Sequence, residues 1–173
     1  MKDALLIRYS IFLIAVFSGI FLAQDQGLIR LILSSDQSYI SEAIVVLWII
    51  GMGMCSYRII EANRWLDVGI GYRRKEFEVV SQRHWGPIDI IGRLLFRLGL
   101  VGTVYGFWVA LSGLDLEHLT DNATIAQEIG ILMGGMQIAI VTTLVGAVTN
   151  IILVMGLRFL EGAYQKILAE EYL

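Results

Sequence analysis

The chain has 173 residues, 57% of them hydrophobic and only 17% charged, with a mean hydropathy of +0.70. A soluble domain carries nearer ~25% charged residues, so the composition points to a membrane protein. A formal charge of −3 gives no electrostatic basis for binding nucleic acid. The single cysteine, Cys55, excludes an intramolecular disulfide and a cysteine-built zinc site, and in its apolar run it reads as a small buried hydrophobe. His84 and His118 stand alone, and no Ser-His-Asp, Walker or GxGxxG pattern occurs. Gly51-Met52-Gly53, inside an apolar run, reads as helix packing rather than a phosphate loop. No catalytic residue, metal ligand or cofactor is expected, and the chain reads as a non-enzyme.

The first apolar segment, Leu5 to Ala23, is just long enough to span a bilayer. It has no convincing signal-cleavage site and reads as a retained helix. Gln24-Asp25-Gln26-Gly27 is a polar exit, and Leu28 to Leu33 is expected to be a short interfacial piece anchored by Arg30. A second span, Tyr39 to Ile60, has Ser38 or Ser41 as candidate N-cap and Glu42 in its first turn. It is expected to continue as a charged helix until Trp85-Gly86-Pro87 breaks it. A third helix begins amphipathic at Ile88 and turns fully apolar from Leu98 to Leu114, with Arg93 and Arg97 able to snorkel to an interface. Asp115 to Asn122 is an acidic loop, and Asn122 or Thr124 is a candidate cap for the fourth helix. From Ile129 to Leu157 there is no charge, a run of ~44 Å at 1.5 Å per residue, so this helix must tilt or project. The corresponding segments are 1–38, 39–86, 87–122 and 123–173. The expected fold is an all-α membrane protein of four transmembrane helices, with the third and fourth extending into the cytoplasm.

Eight of the 13 Lys and Arg residues fall between Arg58 and Arg97, while Asp115, Glu117 and Asp121 have no basic neighbour in their loop. By the positive-inside rule the basic region and both termini are cytoplasmic. No carboxylate falls in the middle of an expected span. A proton relay needs a titratable group at depth, so either the chain transports nothing or a partner supplies the carboxylate.

The third and fourth helices each carry a face of small and hydroxyl residues: Gly99, Thr103, Gly106, Ala110 and Gly113 on one, Gly135, Ala139, Thr142, Gly146 and Thr149 on the other. At ~100° per residue each set falls within an arc of roughly 80°. Small faces allow close backbone approach and hydroxyls offer polarity inside a membrane, so the pair is expected to pack around something narrow. Thr103 and Thr143 have two readings: each hydroxyl bonds to the carbonyl one turn earlier and merely packs, or the two line a polar path. Gln137 faces away from the small stripe. Thr149 and Asn150 lie toward the far end of the fourth helix as vestibule or interface residues. Trp48, Trp65, Trp85 and Trp108 read as interface anchors or packing residues.

LGLVGTVYGF (98–107), followed by GGMQIAIVTTLVGAVTN (134–150), resembles the MotA/TolQ/ExbB proton channel family. Leu98, Gly99, Leu100, Gly102, Thr103, Val104 and Gly106 match the first family motif, and Ala139, Thr143 and Gly146 match the second. The resemblance implies a homopentamer around two copies of a single-span partner of MotB/TolR/ExbD type, whose membrane Asp carries the ion. It places Thr103, Thr143, Gly99, Gly106, Ala139, Thr142 and Gly146 on the ion path or facing the partner. Four spans are similar to the MotA arrangement rather than the three-span one of TolQ and ExbB. A large cytoplasmic domain of flagellar stators has no counterpart, nor does the Glu that TolQ and ExbB relatives carry near Ile138. The function expected is a channel-forming subunit of an ion-driven motor in the bacterial inner membrane, in contact with membrane lipid and not with nucleic acid. The competing reading is a non-conducting scaffold, with a solute transporter third because no inverted repeat or broken helix occurs.

Overall fold

The computed structural model describes residues 3–27, 39–68, 74–114 and 122–169, all but the short connections being helical. The helices are α1 (Asp3–Asp25), α2 (Ile40–Val68), α3 (Arg74–Ser112) and α4 (Asn122–Ala169). Four stretches within them are long and apolar enough to cross a membrane: Ile7–Asp25, Ile40–Glu61, Gly86–Ser112 and Ile125–Gly162. At 1.5 Å per residue, the 48 residues of α4 extend ~72 Å. The expected interfacial piece at 28–33 and the acidic residues 115–121 lie outside the described residues.

Two local expectations need correction. Trp85-Gly86-Pro87 does not end a helix: α3 starts at Arg74 and runs through Pro87, while α2 ends at Val68. Proline removes one backbone donor, a loss that membrane helices tolerate. The start of α2 also differs. Tyr39, at φ 57°, accepts the first-turn bond from the Ala43 N–H at 3.1 Å, so it occupies the cap position and Ser41 lies inside the first turn.

The core forms where α2 crosses the α3–α4 pair. Ile44, Met52, Cys55 and Ile59 of α2 pack with Ile88 and Leu95 of α3 and Leu153 and Leu160 of α4. At the crossing a Cβ on Gly51 would stand 3.0 Å from Leu153 and 3.1 Å from Ile91. Cys55 is fully buried there, as expected of a small hydrophobe. α1 joins this core through Tyr9, Phe12 and Leu13. The Tyr9 hydroxyl and Ser56 Oγ share a hydrogen bond at 2.8 Å, and Phe12 meets the Phe159 ring at 5.2 Å. Beyond that end, Ile14, Phe17, Phe21 and Leu22 are exposed, the surface lipid accepts.

The crossing also sets the relative height of the helices. With Gly51 beside Ile91, the first residue of α2 stands level with about Gly102. α3 therefore runs roughly 15 Å past the Tyr39 end of α2, and α4, whose Thr142 faces Gly102, runs about 30 Å past it.

Candidate functional site

The two small-residue faces meet each other. A Cβ on Gly106 would stand 2.6 Å from the Ala139 N and Gly135 O, and one on Gly135 would stand 2.5 Å from the Ala110 side chain. Gly146 faces the Leu95 carbonyl and the Gly99 Cα, and Gly99 faces the Thr142 carbonyl. Contacts this short between backbones are what a glycine seam permits and any side chain forbids. Gly99, Gly106, Ala139, Thr142 and Gly146 thus form the joint between α3 and α4. Gly102 belongs to the same seam, since a Cβ there would fall 2.4 Å from the Thr142 side chain. It matches the first family motif, but lies about 60° from Gly99 around α3, outside the arc of the small stripe. Thr142 is fully buried, and its hydroxyl donates to the carbonyls of Ile138 at 2.9 Å and Ala139 at 3.2 Å.

Thr103 and Thr143 are placed differently. Both sit on the rim of the seam and line one open groove of about 450 Å³ with Phe107, Met136, Ala139, Ile140, Leu144 and Ala147. Thr143 Oγ1 donates to Ala139 O at 3.1 Å and reaches across the seam toward Gly99 O at 3.3 Å. Thr103 Oγ1 donates to Leu100 O at 2.6 Å. Each hydroxyl proton is thus held by a backbone carbonyl, while the oxygen's acceptor lone pairs remain available on the groove side. The pairing of Gly102 with Thr142 and of Gly106 with Ala139 puts Thr103 level with about Val141. The two threonines are about two residues, or ~3 Å, apart in height. Depth counted from Leu98 and Arg158 separates them by ~14 Å. That count fails because the α4 apolar run extends well beyond Leu98 of α3.

The groove continues toward the other end of the same face. Three residues beyond Ala147 lies Asn150, which lines a second hollow of about 240 Å³ with Asp89, Gly92, Arg93, Phe96 and Arg97. Arg93 Nη2 pairs with Asp89 Oδ2 at 2.7 Å. Gln137 is exposed on the side away from the seam, and Thr149 is buried with its hydroxyl on Val145 O at 2.7 Å. Trp48 packs on the core and Trp108 is exposed. The side chains of Trp65 and Trp85 lie outside the described residues. Among the described residues no group of His, Cys, Asp and Glu could hold a metal ion.

The geometry is therefore a backbone-tight helix pair with two threonines at one groove. The family model of the MotA/TolQ/ExbB proton channel family matches residues 76–171, which takes in nearly all of α3 and α4. The chain belongs to this family. Comparison with curated proteins and with solved structures gives no match. Family membership makes the chain a membrane subunit of proton-channel type, from a family that works with a partner protein.

Proposed function

We propose that this chain is the channel-forming subunit of an ion-motive-force-driven motor in the bacterial inner membrane, with both termini cytoplasmic. Five copies form a ring with α3 and α4 toward the axis and α1 and α2 toward lipid. Two copies of a single-span MotB/TolR/ExbD-like partner sit in the ring and supply the Asp that carries the ion. α3 and α4 continue past the bilayer into the cytoplasm. The observation that carries this reading is the shared groove of Thr103 and Thr143. The glycine seam holds two hydroxyls ~3 Å apart in height on one otherwise apolar surface. Gly99, Gly106, Ala139, Thr142 and Gly146 serve the path by fixing that surface.

A non-conducting scaffold is the second reading. The back-bonding of the Thr103, Thr142, Thr143 and Thr149 hydroxyls favours it, since those protons are already placed. Stoichiometry separates the two. Native mass spectrometry in mild detergent is expected to give a pentamer, and a stable dimer would overturn the motor reading. Proteoliposomes of the chain alone should show proton flux near background, because an apolar constriction stays dewetted. A robust leak without any partner would remove the need for the partner's carboxylate.

A further inference from the structure

We propose that Asp89, Arg93, Arg97 and Asn150 line a water-filled, anion-attracting vestibule sunk into the apolar belt on the same face as Thr103 and Thr143. The inference deepens the proposed function, because the outer wall of the vestibule is made by other copies of this chain. Ile91 meets Gly51, so Asp89 stands level with Gly53, Arg93 with Ile49 and Arg97 with Val45. All three levels fall inside the apolar stretch Ile40–Glu61 of α2. Val45, Val46, Ile49 and Ile50 are exposed there, and an apolar surface of that kind requires hydrocarbon or protein around it. The charged end of that stretch is the Arg58–Glu61 pair, and Asp89 lies about 7.5 Å from the Arg58 level toward the apolar side. Asp89, Arg93 and Arg97 thus stand at levels where α2 presents apolar side chains.

Charged groups at such depth face a protein interior or a water-filled cavity, not lipid. Within one subunit these groups are open, with the Arg93 and Asp89 side chains 61% and 48% exposed. They do not point back into the α2–α3–α4 core. They line a hollow whose floor is apolar, made by Ile88, Phe96, Leu153, Val154 and Leu157. Assembly must close the open side and keep water in it.

The sign of the charge follows from the pairs. Asp89 and Arg93 cancel each other at 2.7 Å. No carboxylate among the described residues pairs with Arg97, so the hollow carries one uncompensated guanidinium per subunit. Copies arranged round an axis add their potentials, and walls of low dielectric focus the field. The ligand chemistry this selects is a small anion or the carboxylate of a partner segment that has lost its ion. Arg97 is six residues, about 9 Å along α3, from Thr103. A carboxylate leaving the threonine level toward this end would meet Arg97 first.

Thiol chemistry tests the vestibule without needing the partner. Cys55→Ala gives a cysteine-free chain, into which Asn150→Cys, or Phe96→Cys on the floor of the hollow, is introduced. The assembled protein in proteoliposomes is treated from both sides with an anionic and a cationic methanethiosulfonate reagent, both membrane-impermeant. Asn150→Cys is expected to react, the anionic reagent roughly tenfold faster than the cationic one. Adding Arg97→Gln should bring that ratio near one. Ile14→Cys, on the lipid face of α1, should stay inert. If Asn150→Cys and Phe96→Cys are as inert as Ile14→Cys in a protein that forms a ring, the vestibule alone is wrong. Equal or faster labelling by the cationic reagent in the presence of Arg97 also overturns it. A chain that forms no ring removes the proposed function and the outer wall together.

Discussion

The α3–α4 pair and the α1 helix are held by opposite means. α3 and α4 meet through glycine, alanine and threonine, with hypothetical Cβ atoms at 2.4 to 3.0 Å from the neighbouring helix at Gly102, Gly106, Gly135 and Gly146. α1 is docked at one end by one hydroxyl pair and two rings, and presents large aliphatic and aromatic side chains elsewhere. Apolar burial gives little drive between helices already solvated by lipid tails, so close packing and hydrogen bonds decide association. The seam therefore has no slack, whereas most of α1 has nothing to lose. The largest effect that could break this contrast is at the seam. Gly106→Val places two methyl groups where a Cβ already meets the Ala139 N and Gly135 O at 2.6 Å. Backbone cannot yield as a side-chain tip does, so the loss should be about 3 kcal/mol or more, read as failure to fold or a large drop in thermal stability in detergent. Gly19→Ala and Gly53→Ala, where a Cβ would meet nothing within 4 Å, should hold or raise stability. An unaffected Gly106→Val would mean that the helices do not touch there.

Next in size is the crossing of the three helices. Leu153 is buried against Gly51 and Ile91, so Leu153→Ala leaves a cavity and should cost roughly 2 to 5 kcal/mol. A smaller value would place α2 farther from the α3–α4 pair than the core packing requires. Gly51 also bears on this joint. Gly51→Ala needs Leu153 and Ile91 to give by a few tenths of an ångström, so it should cost less than Leu153→Ala.

The contrast also separates what the residues display from what only packing decides. The positions of all four spans are legible in hydropathy, because a bilayer demands ~20 apolar residues in each. The small faces of α3 and α4 are legible as periodicity, but a glycine stripe says only that something comes close. It does not say that the other stripe is that something. Gly102 shows the limit: it lies outside the arc drawn from Gly99 to Gly113, yet faces Thr142 more closely than any other glycine of the seam. Pro87 misleads for a related reason, since its cost is local and a long membrane helix absorbs it. Height is the least legible property of all. Asp89 and Arg93 look interfacial when α3 is read alone, and only with Ile91 set beside Gly51 do they come level with the apolar stretch of α2. The ~3 Å offset of Thr103 and Thr143 has the same origin. It depends on inter-helix register, which composition along one helix does not encode.

A function-level effect with little stability cost sharpens the comparison between seam and groove. Thr143→Val keeps the shape of the side chain and removes the hydroxyl that donates to Ala139 O and Gly99 O. In membrane proteins such bonds average about 0.6 kcal/mol, so assembly should survive. Energy-coupled activity with the cognate partner should be lost, and Thr103→Val should show the same loss or less. Thr142→Val is the control on the seam side. Its hydroxyl is fully buried and bonded within α4, so it should leave the coupled activity nearer that of the parent. If both groove variants assemble and keep full activity, the hydroxyls only pack, and the scaffold reading stands.

The smallest effect belongs to α1. Tyr9→Phe deletes one hydroxyl, the one shared with Ser56 Oγ at 2.8 Å. Ser56 keeps its own donation to Met52 O at 2.8 Å, so the substitution strands no donor on α2. The ring contact of residue 9 with Phe12 is unchanged in kind. The expected cost is about 0.6 kcal/mol, a shift of a degree or two in a thermal melt. Phe17→Ala and Phe21→Ala, on the exposed length of α1, should fall within about 0.5 kcal/mol of the parent, because each exchanges lipid contact for lipid contact. The order of these variants is more informative than their size. Tyr9→Phe costing more than Phe17→Ala, although it removes far fewer atoms, would show that one end of α1 is fixed and the rest rides on lipid. The reverse order would require a protein surface against Phe17, which in a ring means that α1 touches the neighbouring copy.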